Sequence, residues 1–322
     1  MPRWPRCISL ASLQRYWLRR RGLRFRLVML VIAALLPLVL FSVSMVLLFA
    51  HEEHRITERG MRETARALAL AMDREVGEMH AALGVLALSR SLAAGDLEDF
   101  YGQCLEALRL LPHNAWFTLS DLQGQMLFNT RVPYGTPLPM HAAVDVVRRV
   151  AATGRPSNSD LVVDPLTHQP VVTLDVPVFR DDHVSAVLSL TRQIETWGRL
   201  FGEQLLPQGW IAAVNDRQHR ILARSWEPER FLGTLTTPRM AERSATADEG
   251  WFPNISKDGT PIYTAFSRVQ STGWTLVLFA PAAVVDAPGR QVLWLIISGG
   301  LVLSAVAVGL ALRLRPTPCH AH

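Results

Sequence analysis

The chain has 322 residues, 49% of them hydrophobic, with 33 lysines and arginines against 28 aspartates and glutamates. That length and apolar content exclude a disordered or low-complexity chain and leave room for more than one domain. The formal charge of +5 would suit an anionic partner, but it is concentrated at the ends: Arg3, Arg6, Arg15, Arg19, Arg20, Arg21, Arg24 and Arg26 precede any carboxylate, so nucleic acid is not an expected partner.

The first predicted element follows the basic tail 1–26. Residues 27–50 (LVMLVIAALLPLVLFSVSMVLLFA) carry no charge and are long enough, as a helix, for the roughly 30 Å of a bilayer core. The run is also longer than the ~7–15 apolar residues of a cleaved signal peptide, the competing reading. Residues 292–312 form a second such run, followed by Arg313 and Arg315 in a short tail, 313–322. Two transmembrane helices with basic flanks place both termini in the cytoplasm and residues about 51–291 in the periplasm of a bacterial inner membrane, with the lipid bilayer as a partner.

Between the runs, residues 51–94 contain no proline and repeat apolar residues at Ile56, Met61, Leu68, Met72, Val76, Met79, Leu83 and Leu86, which predicts a long stalk helix. The stripe fits a parallel homodimer through the stalk, or packing against the rest of its own domain. Asp96 is the expected N-cap of a further helix ending before Pro112. Strands follow at Ala115 to Leu119 and Gln125 to Asn129 around the turn SDLQG, then a helix ended by Gly154, then a hairpin of PVVTLDVPVF and VSAVLSL around RDDH, and a helix from about Arg192 to Leu205.

This unit, 95–205, has an apparent copy in 206–285. WFTLSDLQGQMLFNT parallels WIAAVNDRQHRILARS, matching Asp121 with Asp216, and HQPVVTLDVPVF parallels DGTPIYTAFSRV, matching Pro170 with Pro261 and Thr173 with Thr264. Duplication is one explanation, and the general likeness of antiparallel hairpins is the other. The predicted fold class is α+β: a stalk helix and two tandem PAS-like antiparallel-sheet units between two transmembrane helices.

Chemistry-bearing motifs are few. No GxSxG elbow, phosphate loop, HExxH, CxxC or calcium loop occurs, so no catalytic residue, metal site or cofactor is expected and the chain is not read as an enzyme. His51 and His54 in HEEH lack a further ligand, and Asp181, Asp182 and His183 read as a hairpin tip. Of three cysteines, Cys7 and Cys319 fall in the tails and Cys104 lies in a helical pattern, as a buried thiol would.

GWIAAVNDRQHRILARS, GRPSNSDLVVD with PVVTLDVPVF, and DGTPIYTAFSRVQSTGWTLVLFAP resemble the double Cache sensor domains of bacterial receptors such as sensor histidine kinases and diguanylate cyclases, over about residues 51–312. The resemblance implies a small-molecule ligand in the periplasm, bound on the concave face of the membrane-distal sheet, and signal transduction by helix movement, as in a two-component system. By residue it implies the aromatic pair Trp116 and Phe117, Tyr134 in the following loop, Asp160 as the acid for a ligand amine, Arg131 as a loop charge, and Thr118 and Asn129 as hydrogen-bonding groups. The arginine of the amino-acid-binding members is replaced by Asn114, so the resemblance does not extend to an α-carboxylate clamp. Such receptors continue into an output domain, whereas RLRPTPCHAH ends this sequence. The readings are a truncated receptor, a sensor working through a separate cytoplasmic signalling partner, or a membrane-anchored structural or assembly protein with no small-molecule ligand.

Overall fold

The longest element is α1 (Leu10–Ala87), whose residues Met61, Ala65, Ala69, Met72, Val76 and Leu83 form one buried stripe. Steps of three, four and seven keep these side chains on one face of a 3.6-residue helix. The computed structural model describes residues 10–111, 114–194 and 206–287, with scattered positions from 291 to 309. The chain divides into two compact units, Thr57–Val284 and a second made of Met1–Ile56 with Val285–His322.

The expected membrane spans are corrected. Residues 27–50 are not a separate apolar segment but the interior of α1, continuous with arginine-rich turns before it and with the charged sequence HEEHR after it. Among the described residues no helix is long and apolar enough to cross a membrane. The two-pass inner-membrane localisation, with its cytoplasmic ends and periplasmic middle, is therefore withdrawn. Most of 292–312 and both tails' cysteines lie outside the described residues, as does most of the helix expected from about Arg192 to Leu205, whose first two residues instead end the strand His183–Gln193.

The helix expected over 51–94 breaks at Leu88 and Ser89. There the Ser89 hydroxyl donates to Gln103 Oε1 at 2.6 Å, and the chain restarts as α2 (Arg90–Ala94). Gly95, at φ 81, closes α2 in the left-handed region that glycine adopts without steric cost. Asp96 then caps α3 (Leu97–Leu108) by accepting from Asp99 N. Cys104 on α3 is fully buried, and burial pushes its thiol pKa up to about 12.

Two antiparallel sheets follow. The first contains β1 (Ala115–Ser120), β2 (Met126–Asn129), β3 (Ser157–Asn158), β4 (Val162–Val163), β5 (Pro170–Arg180) and β6 (His183–Gln193), in the order β2-β1-β6-β5-β3 with β4 also on β5; α4 (Val144–Thr153) packs on it. The second contains β7 (Ile211–Asn215), β8 (Ile221–Arg224), β9 (Glu249–Ile255), β10 (Pro261–Arg268) and β11 (Thr275–Pro281), in the order β8-β7-β11-β10-β9. The short helices α5 (Pro228–Phe231) and α6 (Pro238–Thr246) precede β9, and α7 (Ala282–Val285) follows β11.

The orders correspond strand for strand. The first hairpin of each sheet carries a bulge at the matching place, Leu119/Ser120 and Val214/Asn215. Each is closed by its aspartate: Asp121 Oδ1 accepts from Gln123 N and Gln125 N, and Asp216 Oδ1 from Gln218 N and Arg220 N. These shared irregularities favour duplication over chance likeness of hairpins, because bulge placement is not imposed by antiparallel pairing itself.

Helix α1 serves both sheets. Its Asp73 accepts from Gln270 N at 3.0 Å and Ser271 N at 2.7 Å in the β10–β11 turn, and Arg62 and Arg66 pair with Glu249 on β9. Further along the helix, Arg192 of β6 meets Glu75 at 3.4 Å, and His80 bonds the Ser157 carbonyl at 3.1 Å. Of the predicted stripe, Met61, Met72, Val76 and Leu83 are thus buried within their own domain, while Leu68, Met79 and Leu86 are half-buried and Ile56 is exposed.

Candidate functional site

Alternation along a strand sends successive side chains to opposite faces, so register decides which residues can form a site. In the first sheet Trp116 pairs with Thr191 and Thr191 with Thr173; Thr118 pairs with Asn129 and Ser189, and Ser189 with Asp175. All lie on one face, and all are buried. The opposite face holds Phe117, Leu119, Leu174, Leu188 and Leu190 and turns toward α1, where Phe117 and Leu190 share a groove with Met79, Leu83 and Leu86. One face is therefore an ordinary apolar core. The other is a buried polar surface.

Hydrogen bonds organise it. Asn129 Nδ2 donates to Thr118 Oγ1 at 2.9 Å, and Asn129 Oδ1 accepts from Arg131 N at 2.9 Å, which anchors the start of the following loop. The Arg131 guanidinium then lies 4.6 Å from the Trp116 ring centre, a cation–π contact. At the other end Thr173 Oγ1 donates to Asp175 Oδ2 at 2.7 Å and Ser189 Oγ donates to Asp175 Oδ1. His141 Nδ1 accepts from Ala143 N at 3.1 Å, so its proton sits on Nε2, 4.0 Å from Asp175 Oδ1. Burial pushes the Asp175 carboxyl above the ordinary carboxylate range, against the pull of His141, Ser189 and Thr173.

Among the described residues two groups on this face lack a partner: Trp116 Nε1 and Ser120 Oγ are buried without a hydrogen bond. A buried donor left unmet costs on the order of 1–3 kcal/mol, and such groups mark places where a ligand or water belongs.

Of the residues the resemblance suggested, Trp116, Thr118, Asn129 and Arg131 come together here. Phe117 does not, because it is one residue out of phase and faces α1. Tyr134 is half exposed in the loop, its ring 5.7 Å from that of Tyr101, whose hydroxyl donates to the Val132 carbonyl. Asp160 stands apart: its Oδ1 accepts from Arg217 Nε at 2.9 Å and Arg217 N at 3.2 Å, joining the β3–β4 loop to the first hairpin of the second sheet. Sequence reasoning missed Asp175, His141, Thr173, Ser189 and Thr191. The signal was there for the strand residues, since T-L-D at 173–175 and S-L-T at 189–191 put polar groups at every second position of otherwise apolar strands. Among the described residues no cluster of three or more metal-ligating side chains occurs.

No protein-family model matches the sequence, and no curated protein matches it. Solved structures do. The chain is similar to methyl-accepting chemotaxis protein X (14% identity, TM-score 0.58), over 71% of this chain and 98% of that one. It is similar to the ligand-binding domain of the Pseudomonas fluorescens chemoreceptor CtaA in complex with L-isoleucine (12%, TM-score 0.56), over 74% and 97% of the two chains. It also resembles the ligand-binding domain of the Pseudomonas aeruginosa amino acid chemoreceptor PctB in complex with L-Arg (14%, TM-score 0.55), over 72% and 97%. At such identities the likeness is one of fold. The chain has the mixed helix and antiparallel-sheet fold of chemoreceptor ligand-binding domains.

Proposed function

We propose that this chain is a sensor of a small solute, built as a double Cache arrangement, with its ligand on the polar face of the first sheet. The observation that carries the reading is the row of buried polar side chains from Trp116 to Asp175, with Trp116 Nε1 and Ser120 Oγ unmet among the described residues, on a sheet whose other face is mostly apolar and turns toward α1. A structural or assembly protein has no need of such a row, because apolar residues of similar size pack as well without the desolvation cost.

The chemistry of the row selects the ligand. Asp175 already accepts from two hydroxyls, and its carboxyl suits an amine or hydroxyl donor; Trp116 offers an N–H and a ring face, and Arg131 a cation at the rim. The fit is to a small polar solute with a donor at one end and an acceptor at the other. That chemoreceptor domains of this fold were solved with L-isoleucine and L-Arg supports a ligand of similar size. Arg131 and His141, near the two ends of the 130–143 segment, lie against Trp116 and Asp175 of the row, so on this reading ligand entry moves that segment. Ordering it around a ligand would then shift the sheet against α1, on which both sheets rest.

A thermal-shift screen of the full chain against amino acids, amines, polyols and carboxylates tests this. One solute class should raise the melting temperature in a saturable way, since binding to the native state alone stabilises it. The gain should vanish in Ser120→Ala and fall in Asp175→Asn. A stabilising solute indifferent to both substitutions would sink the assignment of the site.

A further inference from the structure

The matching face of the second sheet is different in kind. Where the first has Thr118, Asp175 and Ser189, the corresponding positions by register are Ala213, Phe266 and Val277, which join Met240 and Phe252 in an apolar cluster. Beside that cluster lies a cavity of about 40 Å³. One water takes roughly 10–15 Å³ on this measure, so the space fits about three or four water-sized atoms.

Its lining is cationic and incompletely bonded. Arg224 at the end of β8 reaches it, with its guanidinium 4.0 Å from the Phe231 ring centre and 4.9 Å from that of Phe279, and its Nε donating to the Trp226 carbonyl. Lys257 reaches it from the β9–β10 turn, held by the Thr234 hydroxyl at 2.7 Å and the Leu235 carbonyl at 2.8 Å, which occupy two of its three donors. Among the described residues neither cation forms an ion pair; Asp258 and Glu227 act on Arg224 only at longer range. Thr237 begins α6 at the same wall, its hydroxyl accepting from Met240 N, so the positive end of a nine-residue helix adds to the two charges. Two fully buried side chains on the floor, Thr264 and Asn215, have oxygens with no hydrogen-bond partner among the described residues: Thr264 Oγ1 and Asn215 Oδ1.

Two like charges converging on one small space are repulsive unless an anion lies between them. An unmet hydroxyl and an unmet amide oxygen in the same lining add a requirement for polar atoms on the occupant. We propose that this cavity is a second ligand site that takes a small monocarboxylate, its carboxylate toward Arg224 and Lys257 and a hydroxyl or bound water serving Asn215 Oδ1. The site is independent of the one on the first sheet, and its ligand is of opposite character: a compact anion instead of a solute read by a buried carboxyl.

The test is a titration of the full chain with sodium formate, acetate and glycolate, with sodium chloride as the control at equal ionic strength, read by thermal shift and by line broadening of the carboxylate's own NMR signal. Saturable binding should appear in the millimolar range or below, with glycolate tighter than acetate because its hydroxyl answers Asn215. Lys257→Met, an exposed position that should fold normally, should weaken all carboxylates by about tenfold, in line with loss of a charge-assisted bond. Asn215→Ser should abolish the preference for glycolate and leave acetate unchanged. Stabilisation matched by chloride, carboxylate binding unaffected by Lys257→Met, or no line broadening with a folded protein would each overturn the proposal.

Discussion

The two sheets share a strand order, a bulged first hairpin and an aspartate that closes it, yet their sheltered faces differ: one is a row of hydroxyls, an indole and a carboxyl, the other an apolar floor with two cations at its edge. Thr173 and Thr264 keep the same polar chemistry at matching positions, while Asp175 and Ser189 give way to Phe266 and Val277. The difference teaches that framework and specificity sit on separate residues. Turn aspartates and bulges fix the backbone, and the side chains at every second strand position are then free to change what the face will accept.

The largest test of that separation is Trp116→Ala. It removes a fully buried indole and should cost about 3–5 kcal/mol in denaturant unfolding, whereas Ile211→Ala at the matching, partly buried position of the second sheet should cost nearer ~2 kcal/mol. Equal losses would mean that the polar face is as much core as its counterpart. Gly250→Ala comes next: an added Cβ would stand 2.6 Å from Phe266 Cε1, so about 1–3 kcal/mol should be lost as the ring is displaced from the apolar floor. No loss would show that Phe266 repacks at will.

Asp175 supplies a pH signature confined to the first sheet. Its folded pKa is raised, so its favourable contribution is complete below the unfolded value of about 3.9 and is lost as pH rises through the folded value. Across that window one differing proton makes stability fall by about 1.4 kcal/mol per pH unit, and Asp175→Asn should flatten the fall. A pH profile unchanged by the substitution would show that the buried carboxyl does not titrate with folding. The smallest effect is expected between the sheets: a double-mutant cycle on Asp160 and Arg217, a partly exposed pair, should return a coupling of about 0.2–1 kcal/mol.

Most of the framework was legible in the sequence because it rests on local rules. Asp96 caps a helix where its spacing says it should, Gly154 ends one, and Asp121 and Asp216 mark two equivalent turns. Strand β9 was not legible: EGWFPNI contains a glycine and a proline, and it becomes a strand because β10 offers it an unpaired edge. The site was legible only in part for a related reason. Trp116 and Asn129 stand out as residue types, but Phe117 is excluded by phase, and Asp175 acquires its meaning from Ser189 across the strand and His141 from a distant loop. Asp160 looked like a binding acid because nothing local reveals that Arg217, far along the chain, neutralises it.

That pairing has a mechanical side. Ser159 holds Thr173 by two backbone-directed bonds, one from Ser159 N to the Thr173 carbonyl and one from Thr173 N to the Ser159 hydroxyl. The next two residues grip the second sheet, Asp160 through Arg217 and Leu161 N through Asp216 Oδ2. Three consecutive residues thus work as a short, stiff coupling rod. A displacement of β5 has almost no slack to absorb before the neighbouring hairpin is pulled, and softening that rod with a glycine at Ser159 would leave both sheets intact while unlinking their motions.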